Sequence, residues 1–384
     1  MCCPKEVALT TVSNAPKQDL DRRLMAGAIA LARRGLGRTA PNPAVGAVLY
    51  RPDLGEIVGR GWTQPGGRPH AEPVAIASAG ERAKGATLYV TLEPCAHHGR
   101  TPPCVEAIIA AGISRVVFGI TDPDPRVSQR GLRILENAGI EVVRSALVEE
   151  AHDVTIGHVL RVSQRRPFVQ VKIAVHGNGQ VPTGHDGAPV WATGTESRAR
   201  GHMMRAEADA ILVGRGTARA DNPSLDCRLP GLAEQSPLRV VLSGSGALDD
   251  ELRIFEKRDG QAATLVFVGQ HATSDVRAAL RERGAEVQVI GDVAGSLWIP
   301  AVLDALVERG ITRLLVEGGP SMWRAFDRAG MIDEVVMFRG ALGEATFDAV
   351  AAEQMLARYV SQSQLVLRGR ARVGDDDMVT WWRA

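Results

Sequence analysis

Apolar positions in the first 145 residues switch repeatedly between a helical and a strand period. Leu20, Leu24, Ala28 and Leu31 follow helical spacing, which predicts a helix over 19–36 stopped at Gly35. Val45–Tyr50 and Ile57–Trp62 read as two strands about the turn Pro52-Asp53-Leu54-Gly55. Ala75, Ile76 and Ala79 place a short helix after Pro69, and Thr87–Leu92 reads as a buried strand. A new helix can start where that strand delivers Cys95. Thr101-Pro102-Pro103 opens another, whose apolar face is Cys104, Val105, Ile108 and Ile109 and whose stop is Gly112. Arg115–Ile120 is a strand, Asp122-Pro123-Asp124-Pro125 a rigid turn, Gln129–Ala138 a helix and Ile140–Val143 a last strand. The alternation predicts a mixed sheet covered on both faces.

Residues 145–166 are polar and rich in arginine, and the domain boundary is expected there. A second alternation starts at Arg166–Ala174. Its strands are expected at Ala210–Val213, Arg239–Leu242, Thr264–Val268, Val287–Ile290 and Arg313–Val316, with a closing hairpin from Gln364–Leu367 and Val379–Trp382. A helix is expected over Glu196–Ala206. The division is therefore a tail over 1–18, one α/β domain over 19–150 and a second over 151–384.

A chain of 384 residues can fill two cores. The net charge of +1 offers no broad field for a polyanion, which argues against a nucleic-acid partner. Five cysteines in unpaired positions, two of them adjacent at Cys2-Cys3, do not resemble a disulfide framework, and a reducing, cytoplasmic location fits. No long apolar run resembles a signal or a membrane span.

Candidate chemistry concentrates between His70 and Cys104. One histidine and two cysteines, His70, Cys95 and Cys104, form a three-ligand set suited to zinc with a fourth position left for water. Glu72 stands two residues from His70, where zinc deaminases carry a glutamate that shuttles the proton and binds no metal. A closed structural site completed by His97 or His98 is the competing arrangement.

Thr91-Leu92-Glu93-Pro94-Cys95, the eight residues between the cysteines and the upstream Pro41-Asn42-Pro43-Ala44-Val45-Gly46-Ala47 together resemble the bifunctional deaminase/reductase family of riboflavin biosynthesis. The resemblance covers nearly the whole chain beyond the first eighteen or so residues. It implies a cytidine-deaminase-like α/β/α domain followed by a dihydrofolate-reductase-like α/β domain, with zinc and NADPH as cofactors. The implied substrate is a small phosphoribosyl pyrimidine, and a homo-oligomer is expected. It makes Asn42 a candidate ring contact, against the plain alternative of an Asx-turn.

In the second half, Thr217 and Asp221 match cofactor positions, as do Val175, Trp191, Ser243, Gly319, Pro320 and Ser321. Lys172, Arg205, Leu225, Arg228 and Glu317 match substrate positions. Gly318-Gly319-Pro320 after a strand also reads, on its own, as free amides at a positive helix end that suits a phosphate.

The chain departs from that family at His176-Gly177-Asn178-Gly179, where the family has Ser-Leu-Asp-Gly, and at Ser243-Gly244, where Asp-Ser is usual. The missing carboxylate leaves open a deaminase with a weak or lapsed reductase domain. An editing deaminase on nucleic acid is the rival of another class, disfavoured by the neutral charge, and a non-catalytic zinc scaffold is the weakest.

Overall fold

The computed structural model describes residues 15–124, 128–182, 191–257, 262–293, 296–341 and 348–384. The chain divides into two compact units. Unit 1 contains the chain up to Arg34, Val45–Thr63 and Pro69–Thr155. Unit 2 contains Gly35–Ala44, Gln64–Arg68 and Ile156–Ala384.

Unit 1 is built from α1 (Ala15–Arg33), β1 (Gly46–Arg51), β2 (Glu56–Trp62), α2 (Ala71–Ala79), β3 (Thr87–Leu92), α3 (Cys104–Ala110), β4 (Arg115–Ile120), α4 (Arg130–Asn137) and β5 (Glu141–Arg144). The sheet order is β2-β1-β3-β4-β5. β1 runs antiparallel to β2 and β3, while β3, β4 and β5 are parallel.

Alternation along β1 sends Gly46 and Ala47 to opposite faces. A Cβ at Gly46 would lie 1.9 Å from the Ala28 carbonyl oxygen, so α1 packs directly on that face. Ala47 pairs with Gly61, where a Cβ would lie 2.2 Å from the Ala71 oxygen, so α2 packs on the other. Helices thus cover both faces, as the alternation implied. The missing side chains let α2, and with it His70 and Glu72, approach the sheet closely.

Three expectations change. α1 begins at Ala15, so residues 15–18 are helix rather than tail, and residues 1–14, with Cys2 and Cys3, lie outside those described. Pro125 of the expected rigid turn also lies outside them. No helix starts at Cys95: residues 93–103 are irregular, and the helix begins only at Cys104. Glu93 organises this stretch by accepting from the amides of Asp122, Gln129 and Gly131. The expected boundary region holds a seventeen-residue helix, α5 (Val148–Gln164), which buries Val154, Ile156 and Leu160.

Unit 2 carries β6 (Phe168–Val175), α6 (Thr195–Ala206), β7 (Ala210–Gly214), α7 (Arg215–Asp221), β8 (Leu238–Leu242), β9 (Leu265–Val268), α8 (Ser274–Glu282), β10 (Glu286–Val289), two short paired strands β11 (Asp292–Val293) and β12 (Ser296–Leu297), α9 (Ile299–Glu308), β13 (Arg313–Val316), α10 (Pro320–Arg328), β14 (Glu334–Arg339), α11 (Ala349–Ala357), β15 (Leu365–Val373) and β16 (Asp376–Arg383). The nine-stranded order is β10-β9-β8-β7-β13-β6-β14-β16-β15. The seven strands from β10 to β14 are parallel, and β16 and β15 close the sheet as an antiparallel hairpin.

One face buries Val169, Val171, Ile173 and Val175 of β6 with Trp323, Phe326 and Leu306. The other buries Val336, Phe338 and Val266 with Met204 of α6. A fully buried side chain such as Phe338 contributes about 1.5–3 kcal/mol. Alternation therefore turns Lys172 away from the first of these clusters.

Candidate active sites

His70 is the N-cap residue of α2, and Glu72 lies in its first turn. Cys95 follows β3 in the irregular stretch, and Cys104 is the first residue of α3. The strand and the two helix starts bring their ligand atoms within 4.8 Å of one another. His70 Nδ1 lies 3.3 Å from Cys104 Sγ and 3.6 Å from Cys95 Sγ. Zinc bonds of about 2.3 Å to sulfur and about 2.1 Å to nitrogen, at a tetrahedral angle, separate N from S by roughly 3.6 Å. The three residues therefore fit a zinc ion without rearrangement.

Electrostatics agree with this use. A hydrogen bond from Cys104 holds the Cys95 thiol down at about 4, with burial opposing and His70 assisting. The Cys104 backbone amide also donates to Cys95 Sγ at 3.3 Å. Cys104, bonded to that sulfur and buried, is pushed above the usual thiol range. The metal-free pair thus keeps one proton, which a cation must displace. Glu72 is only 4% exposed, and burial followed by the charge of Cys95 raises it to about 7. A carboxyl poised there can both accept and return a proton at neutral pH. Neither His97 nor His98 belongs to the cluster, and His98 pairs with Glu106.

Asn42 lies in unit 2, and its amide donates to the Gly67 carbonyl at 2.9 Å.

In unit 2 the structure assembles a charged group that is scattered in sequence. Arg205, at the end of α6, binds Glu317 with both prongs: Nε to Oε1 at 2.8 Å and Nη2 to Oε2 at 2.7 Å. Burial would raise Glu317, but Arg205 and then Lys172 hold it at about 2. Desolvation pushes Lys172 down, and Glu317 partly restores it. Arg205 Nη1 also donates to the Asp226 carbonyl at 2.9 Å. Arg228 Nη1 binds Ser224 Oγ and Asp226 Oδ1, each at 2.6 Å. Leu225 is buried with φ +56°, a left-handed conformation uncommon for leucine, so the 222–228 loop is held by its surroundings.

The cofactor candidates lie around the carboxyl ends of parallel strands, where such sheets take their ligands. Gly319 is the N-cap of α10 and Pro320 opens it. The Gly319 amide donates to Thr217 Oγ1 at 3.1 Å, which joins α7 to α10. Met322 N bonds back to the Gly319 carbonyl. The expectation of free glycine amides is thus corrected for Gly319 alone, whose amide is taken by Thr217. Asp221 ends α7. Ser243 Oγ is buried without a hydrogen-bond partner among the described residues. Trp191 is 58% exposed beneath the Arg198 guanidinium, 5.0 Å from its ring centroid. Val175 is buried, and its carbonyl accepts from Gly340 N.

The departing stretch keeps a tight turn. Gly179 N bonds the His176 carbonyl at 2.7 Å with φ +81° at Gly179, and Asn178 Oδ1 accepts from Gln180 N at 3.0 Å. Arg339 Nε donates to the Gly177 carbonyl and Tyr359 Oη to that of Gly179. The amide at 178 performs the local bonding a carboxylate would, without its charge.

Sequence reasoning missed His202, Ser224 and Asp226, which contact the Arg205–Arg228 group. The available signal was weak: His202 stands three residues before Arg205, on the same helical face.

Taken together, the fold and the two sites define a zinc-dependent pyrimidine deaminase joined to a reductase. Residues 18–120 match the family described as the cytidine and deoxycytidylate deaminase zinc-binding region, and residues 167–344 match the RibD C-terminal domain. The chain is 38% identical over 321 residues to the riboflavin biosynthesis protein RibD of Aquifex aeolicus, covering 84% of this chain and 87% of that protein. It is 37% identical to the Escherichia coli RibD, covering 83% and 87%. Among solved structures, Acinetobacter baumannii RibD superposes with a TM-score of 0.78 at 32% identity, covering 96% of this chain and 99% of that one. The diaminohydroxyphosphoribosylaminopyrimidine deaminase/5-amino-6-(5-phosphoribosylamino)uracil reductase of Thermotoga maritima gives 0.78 at 33%, covering 96% and 100%. The chain belongs to the RibD family of riboflavin biosynthesis proteins.

Proposed function

We infer that the chain performs two successive steps of riboflavin biosynthesis. Unit 1 deaminates diaminohydroxyphosphoribosylaminopyrimidine. Unit 2 reduces the resulting 5-amino-6-(5-phosphoribosylamino)uracil to its ribityl product with NADPH. The observation that carries the first step is the His70–Cys95–Cys104 triangle with a buried Glu72 beside it.

When bound, zinc supplies the acidity that brings a water's pKa to about 7. His70, Cys95 and Cys104 hold the ion. Glu72 takes a proton from the attacking water and returns it to the departing nitrogen, so a C–O bond forms, a C–N bond breaks and ammonia leaves.

NADPH, when bound, supplies a hydride. Val175, Trp191, Thr217, Asp221, Ser243, Gly319, Pro320 and Ser321 would hold the cofactor. Lys172, Glu317, Arg205, Leu225 and Arg228 hold the substrate so that its sugar C1 accepts the hydride. The ring C–O bond at C1 breaks as the hydride is accepted, and the ring oxygen takes a proton. Two cationic guanidiniums in one cluster support a phosphate-bearing ligand.

The proposed partner is a small molecule, and the net charge of +1 supports the exclusion of nucleic acid. No described helix is long and apolar enough to cross a membrane. Free thiols at Cys95, Cys104 and Cys227 support a cytoplasmic setting. A homo-oligomer is proposed, and light scattering on the purified protein tests it.

The test of the whole reading is to incubate the protein with the deaminase substrate, with and without NADPH, and identify products by mass. Without NADPH an amino group should be exchanged for oxygen. With it the product should gain two further hydrogens. Deamination that proceeds while NADPH stays unoxidised would replace this reading with that of a lapsed reductase.

A further inference from the structure

His202 has no place in the chemistry above, yet it touches the substrate clamp at two points. Its Nδ1 lies 3.2 Å from the Asp226 carbonyl oxygen and 3.3 Å from the Arg228 backbone nitrogen. One ring nitrogen cannot serve both contacts. If Nδ1 carried the proton it would donate to Asp226 and confront the Arg228 N–H with another N–H. If Nδ1 is bare it accepts from Arg228, and the Asp226 carbonyl still receives Arg205 Nη1 at 2.9 Å. Only the second arrangement leaves no donor facing a donor. The ring stays neutral there, because burial and then the charges of Arg205 and Arg228 push its pKa down.

The position of the contact gives it a use. Among the described residues Arg228's guanidinium is tied to Ser224 and Asp226 through Nη1, which leaves Nη2 and Nε to a ligand. Its backbone is tied to His202. Leu225, three residues earlier, is in a strained left-handed conformation, so the loop needs such ties to hold its shape. His202 and Arg205 leave the same helix three residues apart. They reach the same loop, one binding the amide of residue 228 and the other the carbonyl of 226.

We propose that His202 is a positioning residue of the reductase site: its bare Nδ1 fixes the 226–228 backbone and so sets Arg228 against the phosphate of the phosphoribosyl substrate. This rests on the reading that Arg228 binds that phosphate. The effect belongs to binding rather than to hydride transfer, because no reacting atom is involved.

The test compares His202→Ala, His202→Asn and His202→Gln in the full-length, zinc-loaded protein. Asparagine places an amide oxygen near the Nδ1 position, whereas glutamine places its amide near Nε2. Losing one hydrogen bond of this kind corresponds to a roughly 3–10-fold effect. His202→Ala and His202→Gln should raise KM for the deaminated intermediate, and Kd for ribose 5-phosphate, by about that factor with kcat little changed. His202→Asn should restore both values. The increase should disappear with the dephosphorylated intermediate.

NADPH affinity, followed by fluorescence, reports that unit 2 is folded. Should His202→Ala fail to fold, the asparagine–glutamine pair decides. Equal behaviour of those two variants, a loss confined to kcat, or an undiminished effect on the dephosphorylated compound would each overturn the proposal. Arg228→Ala separates the two levels: if it leaves KM and Kd unchanged, the phosphate reading of Arg228 fails, whatever His202 does.

Discussion

Glu317→Gln removes the one negative charge in the Lys172–Arg205–Glu317 group while keeping its shape. The carboxylate is held at about 2 against an ordinary value of 4.5, a difference of about 2.5 units. At 1.36 kcal/mol per unit, its charged form contributes about 3 kcal/mol to unit 2 at neutral pH. The figure is not discounted for solvent, since the Glu317 side chain is 9% exposed. It is also the size expected when one partner of a buried pair is deleted.

Because the folded-state pKa is depressed, this stability is fully present above about pH 4.5 and is lost as pH falls toward 2. Five of the six tryptophans lie in unit 2, so tryptophan fluorescence reports its unfolding selectively. For a unit of this size, about 3 kcal/mol corresponds to a Tm drop of roughly 6–12 °C at pH 7. The gap between parent and variant should narrow steadily from pH 5 to pH 3. A Glu317→Gln protein that melts within a degree or two of the parent at pH 7 would refute the reasoning. So would a gap that does not change with pH.

Four further outcomes follow. Elemental analysis should find one zinc per chain, and Cys95→Ser should bind it much more weakly; full retention would sink the ligand assignment. Glu72→Gln should keep its zinc and lose deamination by about 10²–10⁴-fold, as expected for a missing proton shuttle, and near-normal turnover would rule that role out. Gly61→Ala places a Cβ 2.2 Å from the Ala71 oxygen, so it should destabilise unit 1 by about 1–3 kcal/mol and weaken zinc retention by shifting α2; an unchanged melting profile would contradict that packing. Supplied with the deaminated intermediate, the parent protein should oxidise NADPH despite Asn178, because the 176–180 turn is intact. A rate equal to the enzyme-free control would show that the reductase half has lapsed.

The zinc site was legible in the sequence because its parts are local. His70, Glu72, Cys95 and Cys104 fall within thirty-five residues, and His70, Glu72 and Cys104 stand at helix starts that patterning alone marks. The same holds for most strands: β3 and β4 are short, mainly apolar segments between turn signals, and both are buried along their length. Several elements escaped, among them α7, α8, α9, α11, β14 and α5. β14 is buried along its whole length between β6 and β16 and shows no alternation. α5 presents mostly polar residues, and only its packing reveals which stripe is covered.

In unit 2 the resemblance named candidate residues one by one, but not the arrangement of the charged group. Arg205 and Glu317 are 112 positions apart, and no periodicity links them. They meet because β13 is inserted between β7 and β6 in the sheet, which sets Glu317 beside both Lys172 and the end of α6. Whether Gly319's amide is free, which atom of Asn178 is engaged and which nitrogen of His202 is bare are likewise consequences of assembly. Local chemistry is determined by neighbours in the chain. Pairing among distant charges, and the pKa values that follow from it, depends on which strands lie side by side, and that is settled only when the whole sheet has formed.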